Sequence, residues 1–164
     1  MKKLALATLL SLSACGPQSD APQFPIELYV SAALRDEIQA FQLSLVTNGT
    51  GLDCVAVQKA CIKDQVEPSR FVPLKNAAGA TVNAVSVSLD ELMAGSPSTQ
   101  DVSLKDLPLG KDFALVVEAV STDATPRLAG SSCTYIRELT AGTNPTASVR
   151  IGKLDPRPAC DPRH

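Results

Sequence analysis

From Phe24 onward, apolar and polar residues alternate with a period of two. Ile26, Leu28 and Val30 alternate with Glu27 and Tyr29, and Phe41, Leu43 and Leu45 alternate with Gln42 and Ser44. Val85, Val87 and Leu89 repeat the pattern against Ser86 and Ser88, as Ala147, Val149 and Ile151 do against Ser148 and Arg150. Phe113, Leu115, Val117 and Ala119 make another apolar face. Successive side chains of a strand point to opposite sides, so this alternation predicts strands with one face buried. Turn formers separate the runs: Asn48-Gly49-Thr50-Gly51, Asn76-Ala77-Ala78-Gly79, Pro108-Leu109-Gly110 and Ala141-Gly142-Thr143-Asn144-Pro145. Strands of this length, joined by such turns, predict a mainly β fold, a single antiparallel β-sandwich over residues 24–164.

Helix is expected in two short places. Leu34, Ile38, Phe41 and Leu45 also fit a helical stripe, so residues 34–38 are read as a turn of helix feeding a strand. Ser88-Leu89-Asp90-Glu91 has the spacing of a capping box, followed by Leu92, Met93 and Gly95 as a stop. That predicts one or two helical turns over 89–94. The tail 154–164 holds Pro156, Pro158 and Pro162 and cannot form a central strand.

The N-terminus follows a different pattern. Met1-Lys2-Lys3 is a charged start, and Leu4 to Leu12 is an apolar run. As a helix that run rises only about 14 Å, well short of the ~30 Å hydrocarbon core of a bilayer. Charged start, short apolar run and small residues make an export signal over residues 1–14. Leu12-Ser13-Ala14-Cys15 resembles the lipobox of bacterial lipoproteins. The resemblance implies cleavage before Cys15 and acylation of that cysteine, and two or three acyl chains hold a protein durably on a membrane. Gly16, rather than Asp, follows the cysteine, and in lipoproteins of this kind that implies the outer membrane. Residues 15–23, with Pro17 and Pro22 and no large apolar side chain, read as a lipidated tether. Removal of residues 1–14 leaves 13 basic and 17 acidic side chains, a net charge of −4. Such a body has no basic footprint for nucleic acid and no pull toward an anionic lipid surface.

Cys15 aside, the body carries Cys54, Cys61, Cys133 and Cys160, and export implies an oxidising compartment where disulfides form. Four cysteines allow three pairings. Cys54–Cys61 and Cys133–Cys160 are favoured, closing one short loop and tying down the tail. In the loop-entropy treatment they stabilise by about 2.5 and 3.5 kcal/mol. Neither spacing resembles the short Cys-x₂₋₄-Cys knuckles that zinc prefers, so no metal site is expected.

A second resemblance covers about fifty residues. Val102 to Gly110 and the strand through Glu118 are similar to the strand, Leu-Pro-x-Gly turn, strand of transthyretin-like and immunoglobulin-like envelope domains. The strand Leu128–Arg137 and the turn at Ala141-Gly142 continue the pattern. The whole chain resembles small cysteine-containing lipoproteins of myxobacteria and related groups. The resemblance implies a turn joining two neighbouring strands, with Pro108 fixing φ and Gly110 taking the positive φ. It implies no activity.

The catalytic constellations that sequence can reveal are not found here. There is no Gly-x-Ser-x-Gly elbow and no Ser-x-x-Lys dyad. The single His, His164, ends a proline-rich tail where an ordered position is not expected. No glycine-rich phosphate loop and no calcium-loop pattern occur, so no cofactor is expected. Asp101, Asp106 and Asp112 flank the Pro108 turn, and Asp53 and Asp64 flank the first two body cysteines. Such groups can build a calcium site or a glycosidase pair, but strand ends commonly carry Asp as caps and turns. With no Trp, only Phe24, Tyr29, Phe41, Phe71, Phe113 and Tyr135 could stack on a sugar. The expected function is therefore that of a non-enzymatic, lipid-anchored envelope protein that binds a protein partner or stabilises an assembly. Carbohydrate or cell-wall binding, and a hydrolase or accessory domain using the loop carboxylates, are the alternatives.

Overall fold

The computed structural model describes residues 21–93 and 100–164. The leader 1–14, Cys15, most of the tether and the Gly95 stop lie outside the described residues. Among the described residues, nine strands and three short helices follow one another: β1 (Phe24–Val30), α1 (Ala32–Arg35), β2 (Ile38–Thr47), α2 (Cys54–Val57), β3 (Leu74–Lys75), β4 (Thr81–Val82), β5 (Val85–Ser88), α3 (Leu89–Met93), β6 (Gln100–Leu104), β7 (Gly110–Ser121), β8 (Leu128–Leu139) and β9 (Ala147–Lys153). The alternating runs became strands, and the expected helical turn near 34–38 falls at Ala32–Arg35. The capping box forms in both directions. Ser88 Oγ accepts from the Glu91 amide at 3.1 Å, and Glu91 Oε2 accepts from the Ser88 amide at 2.9 Å.

Seven strands form one curled sheet in the order β5-β2-β7-β8-β9-β1-β6, with β3 and β4 as a separate hairpin. A clear immunoglobulin-like sandwich does not result. The sheet is also mixed rather than antiparallel, since β1 and β9 run parallel, with Leu28 opposite Val149. The curl is hinged where β8 meets β9 through two pairs only, Gly130↔Lys153 and Ser131↔Gly152. A Cβ on Gly130 would lie 2.6 Å from the Gly152 carbonyl oxygen, so the bend needs glycine there. The loop 105–109 does not join neighbouring strands. β6 pairs with β1, whereas β7 pairs with β2 and β8, so the loop crosses between the two halves of the sheet. Leu107 is buried in that crossing, and Asp106 takes the left-handed turn, with φ 55°.

The curl encloses an inner core. Ile26 and Leu28 of β1 and Val149 and Ile151 of β9 meet Phe41, Leu43 and Leu45 of β2 and Leu115 and Val117 of β7. The opposite face of β2, β7 and β8 is buried as well. Residues 48–73, mostly single turns, lie over it, and Val57, Ile62, Val66 and Phe71 pack on Val46, Ala114 and Val116. Burial on both faces explains why β7 reads as an apolar run from Phe113 to Val120 that only Glu118 interrupts.

Both disulfides differ from the favoured pairing. Cys54 is bonded to Cys133 and Cys61 to Cys160. Cys54 opens α2, which lies against β8, and Cys61 faces the returning tail. Each bond therefore joins the cap 48–73 to a distant part of the chain. The tail is stapled as expected, but to the cap rather than to β8. It is also ordered to its end, against expectation. Pro162 is buried, Lys63 Nζ donates to the Arg163 carbonyl at 2.6 Å, and the His164 ring packs edge-on to Phe71 with centroids 5.2 Å apart.

Candidate functional site

Two places combine polar groups with an unusual setting. The first is the seam of the curled sheet. A cavity of about 630 Å³ lies there between the β3–β4 hairpin, Val85 of the edge strand β5, and Ser103 and Leu104 of the edge strand β6. Leu74, Val85 and Leu104 supply apolar lining, and Lys75, Lys105 and Asp106 supply charge. An edge strand carries unpaired backbone donors and acceptors, the groups an added strand would use. Further along the seam, α3 packs against β2, β5 and β6.

The second place is the outer face of β2, β7 and β8, beneath the cap. Glu118 sits near the end of the apolar part of β7 and is fully buried. Antiparallel register puts Gln42 of β2 and Ser131 of β8 directly opposite it, on the same face. Ser44 is the next outward-facing residue along β2. Glu118 Oε1 accepts from the Ile62 amide of the cap at 2.8 Å. Among the described residues its Oε2 has no partner, and neither do the buried hydroxyls of Ser44 and Ser131. A buried carboxylate with one hydrogen bond is poorly compensated in its charged form. Desolvation accordingly pushes its pKa up to about 7, against the Ile62 amide and Lys63, which favour the anion. Sequence reading passed over Glu118. The available signal was a single acid interrupting the run Phe113 to Val120.

Two of the acidic residues singled out from the sequence, Asp53 and Asp112, hold backbone in place. Asp53 caps α2, its Oδ1 accepting from the Val55 and Ala56 amides at 2.9 and 3.2 Å. Asp112 binds the Thr50 amide with Oδ1 at 2.8 Å and the Thr50 hydroxyl with Oδ2 at 3.1 Å. The strand containing Asp101 pairs with β1, Asp101 lying opposite Glu27. Asp64 lies close to Cys61 and Cys160, but both sulfurs are in the disulfide and offer no thiolate to a metal. Of the aromatic residues, Phe24, Phe41, Phe71 and Phe113 are buried, while Tyr29 and Tyr135 are exposed. Tyr29 donates to Glu27 at 3.0 Å and lies 6.0 Å beneath the Arg150 guanidinium.

No protein-family model matches this chain, and neither does any curated protein or solved structure. Among the described residues no helix is long and apolar enough to cross a membrane.

Proposed function

We propose that the chain is a lipid-anchored cell-envelope protein of the outer membrane, whose β body binds an envelope protein partner and has no catalytic role. The observation that carries this reading is the use of the cysteines. Two disulfides occupy Cys54, Cys61, Cys133 and Cys160, leaving Cys15 outside both, within Leu12-Ser13-Ala14-Cys15. Disulfides of this kind form in an exported protein, and export is what residues 1–14 are built to direct. The β strands and turns fit an immunoglobulin-like or transthyretin-like ancestry at the level of strand content only.

The seam between β5 and β6 is the contact surface we assign to the partner. An extended partner segment would find the outer edge of β6, apolar lining from Leu74, Val85 and Leu104, and Lys75 and Lys105 as counter-charges for a carboxylate. The test is crosslinking in intact envelopes followed by affinity purification of wild type, Cys15→Ala and the double variant Lys75→Glu/Lys105→Glu. A stoichiometric partner in wild type that is lost from Cys15→Ala supports the anchored module. Its loss from the lysine variant as well assigns it to the seam. No partner in any form overturns the reading.

The exposed ring of Tyr29, stacked with Arg150 beside a shallow cleft, favours a second reading as a carbohydrate-binding module. Retention on peptidoglycan that Tyr29→Ala abolishes would replace the first reading with this one.

A further inference from the structure

We propose that Glu118 is a proton-operated latch on the segment 62–70 of the cap: protonated it lets the segment lie closed, and ionised it drives the segment open. Geometry carries the idea. The carboxyl is fully buried and touches the cap through one hydrogen bond, from the Ile62 amide to Oε1. Its second oxygen and the hydroxyls of Ser44 and Ser131 are buried without partners on the same face. A neutral carboxyl tolerates such a setting. A carboxylate does not, and opening the cap gives it water at once.

The fixed points of the cap define what can move. Cys54 and Cys61 are bonded to β8 and the tail, and Phe71 and Val72 are tied to β2, the Val72 amide donating to the Leu45 carbonyl at 2.8 Å. Between Cys61 and Phe71 the chain is two single turns, Ile62–Asp64 and Pro68–Arg70. The segment's apolar holds on the sheet are Ile62 and Val66, and its polar ties lie at its ends, where Lys63 donates to the Arg163 carbonyl and the Arg70 guanidinium donates to the Thr47 and Asn48 carbonyls. Opening this piece uncovers the outer apolar face while both disulfides stay intact.

The charges acting on Glu118 are those of Lys63 and Asp64, neighbours on the cap that pull its ionisation in opposite directions. β2 contributes Gln42 and Ser44 and β8 contributes Ser131, none of which titrates. The tail contributes His164, whose ring packs on Phe71 of the cap and whose pKa is lowered by burial, with Lys63 lowering and Asp64 raising it. The proton of Glu118 is the switch, and Glu118→Gln, which leaves His164 in place, separates the two titrations. With its pKa raised by burial to about 7, the change falls around neutral pH.

The experiment is amide hydrogen exchange on wild type and Glu118→Gln from pH 5.5 to 8.5, corrected for intrinsic rates, comparing residues 62–70 with the centre of β7. In wild type, opening of 62–70 is expected to rise on the order of tenfold or more over that range, relative to β7. In Glu118→Gln, which keeps the shape and cannot ionise, the rise is expected to disappear. An unchanged pH profile in the variant overturns the proposal. Should that variant fail to fold, wild type alone decides: 62–70 and β7 changing in parallel, or 62–70 not changing at all, overturns it equally. Both outcomes are independent of membrane anchoring or a partner.

Discussion

On one side of β2, β7 and β8, Phe41, Leu43, Leu45, Leu115 and Val117 meet the hydrocarbon of β1 and β9, strand against strand. On the other side, Val46, Ala114 and Val116 meet residues 48–73, which contain one short helix and several single turns. The inner core is held by packing between long elements whose ladders also satisfy the backbone. The outer core is covered by a segment with little regular structure, held by two covalent bonds and interrupted by Glu118, Ser44 and Ser131. The difference shows what a cover without regular structure requires. Few ladder hydrogen bonds hold the cap down, so crosslinks, helix caps and single side-chain contacts replace them. Such a cover is also the part of the molecule most responsive to chemical conditions.

The largest test of this contrast removes a crosslink. The Cys61–Cys160 bond joins residues 99 apart in sequence, and the loop-entropy treatment gives a bond of that span about 4.7 kcal/mol. In Cys61→Ala/Cys160→Ala, denaturant unfolding should show a loss approaching that size. Hydrogen exchange should rise first in 48–73 and the tail, with β7 protected until global unfolding. Equal loss of protection on both faces would show that the cap and the inner core are a single cooperative unit.

Leu115→Ala attacks the other face. Leu115 is fully buried among strands that cannot easily collapse around a void, so about 3 kcal/mol of stability should be lost. Here the loss should be global, with cap and sheet exchanging together. Val116→Ala, one residue on and facing the cap, removes fewer carbon atoms beneath a softer cover and should cost less. A larger loss at Val116 than at Leu115 would reverse the ranking of the two cores.

The alternation of β1 was legible because its outward side chains, Glu27 and Tyr29, meet solvent while Ile26 and Leu28 do not. Along β7 that contrast vanishes. Ala114 and Val116 are as buried as Leu115 and Val117, and only Glu118 breaks the run. An acid there looked like the polar side of a strand, because nothing local announced that 48–73 would cover it. The cap itself lacks a period, since its apolar residues Val57, Ile62, Val66 and Phe71 fit neither a strand nor a helix for long. The disulfides were misjudged for a related reason. Loop-closure arguments rank pairings by chain separation, whereas the partners were chosen by where α2 and the tail dock. The parallel pairing of β1 with β9 has no local signal at all. Asp53 and Asp112 were seen as carboxylates at strand ends, and that ordinary role is the one they fill.

Stability against pH separates the two faces at intermediate size. Glu118 titrates in the folded protein near 7, above its ordinary value of 4.5, so the folded state holds this proton more tightly than the unfolded chain does. Its contribution is therefore fully present below pH 4.5 and is lost as pH rises through about 7. The whole change is about 3 kcal/mol. Urea midpoints measured from pH 4.5 to 8.5 should fall in wild type and fall much less in Glu118→Gln. Among the described residues the inner core contains no buried acid, and it adds no such slope.

The smallest test probes how the cap is fastened between its crosslinks. Asp53 Oδ1 accepts from two amides at the start of α2, a helix of only four residues that cannot satisfy those donors itself. Asp53→Ala should cost about 1 kcal/mol, seen as a small shift in denaturant midpoint with an unchanged slope. Asp53→Asn, which retains the accepting oxygen, should recover most of it, because the need is for a hydrogen-bond acceptor rather than a charge. Val57, the buried residue of α2, should show the change in exchange before any residue of the inner core does. A cap that tolerates Asp53→Ala without any shift would be held at this end by Cys54 alone, making the crosslink and not the helix the true edge of the outer core.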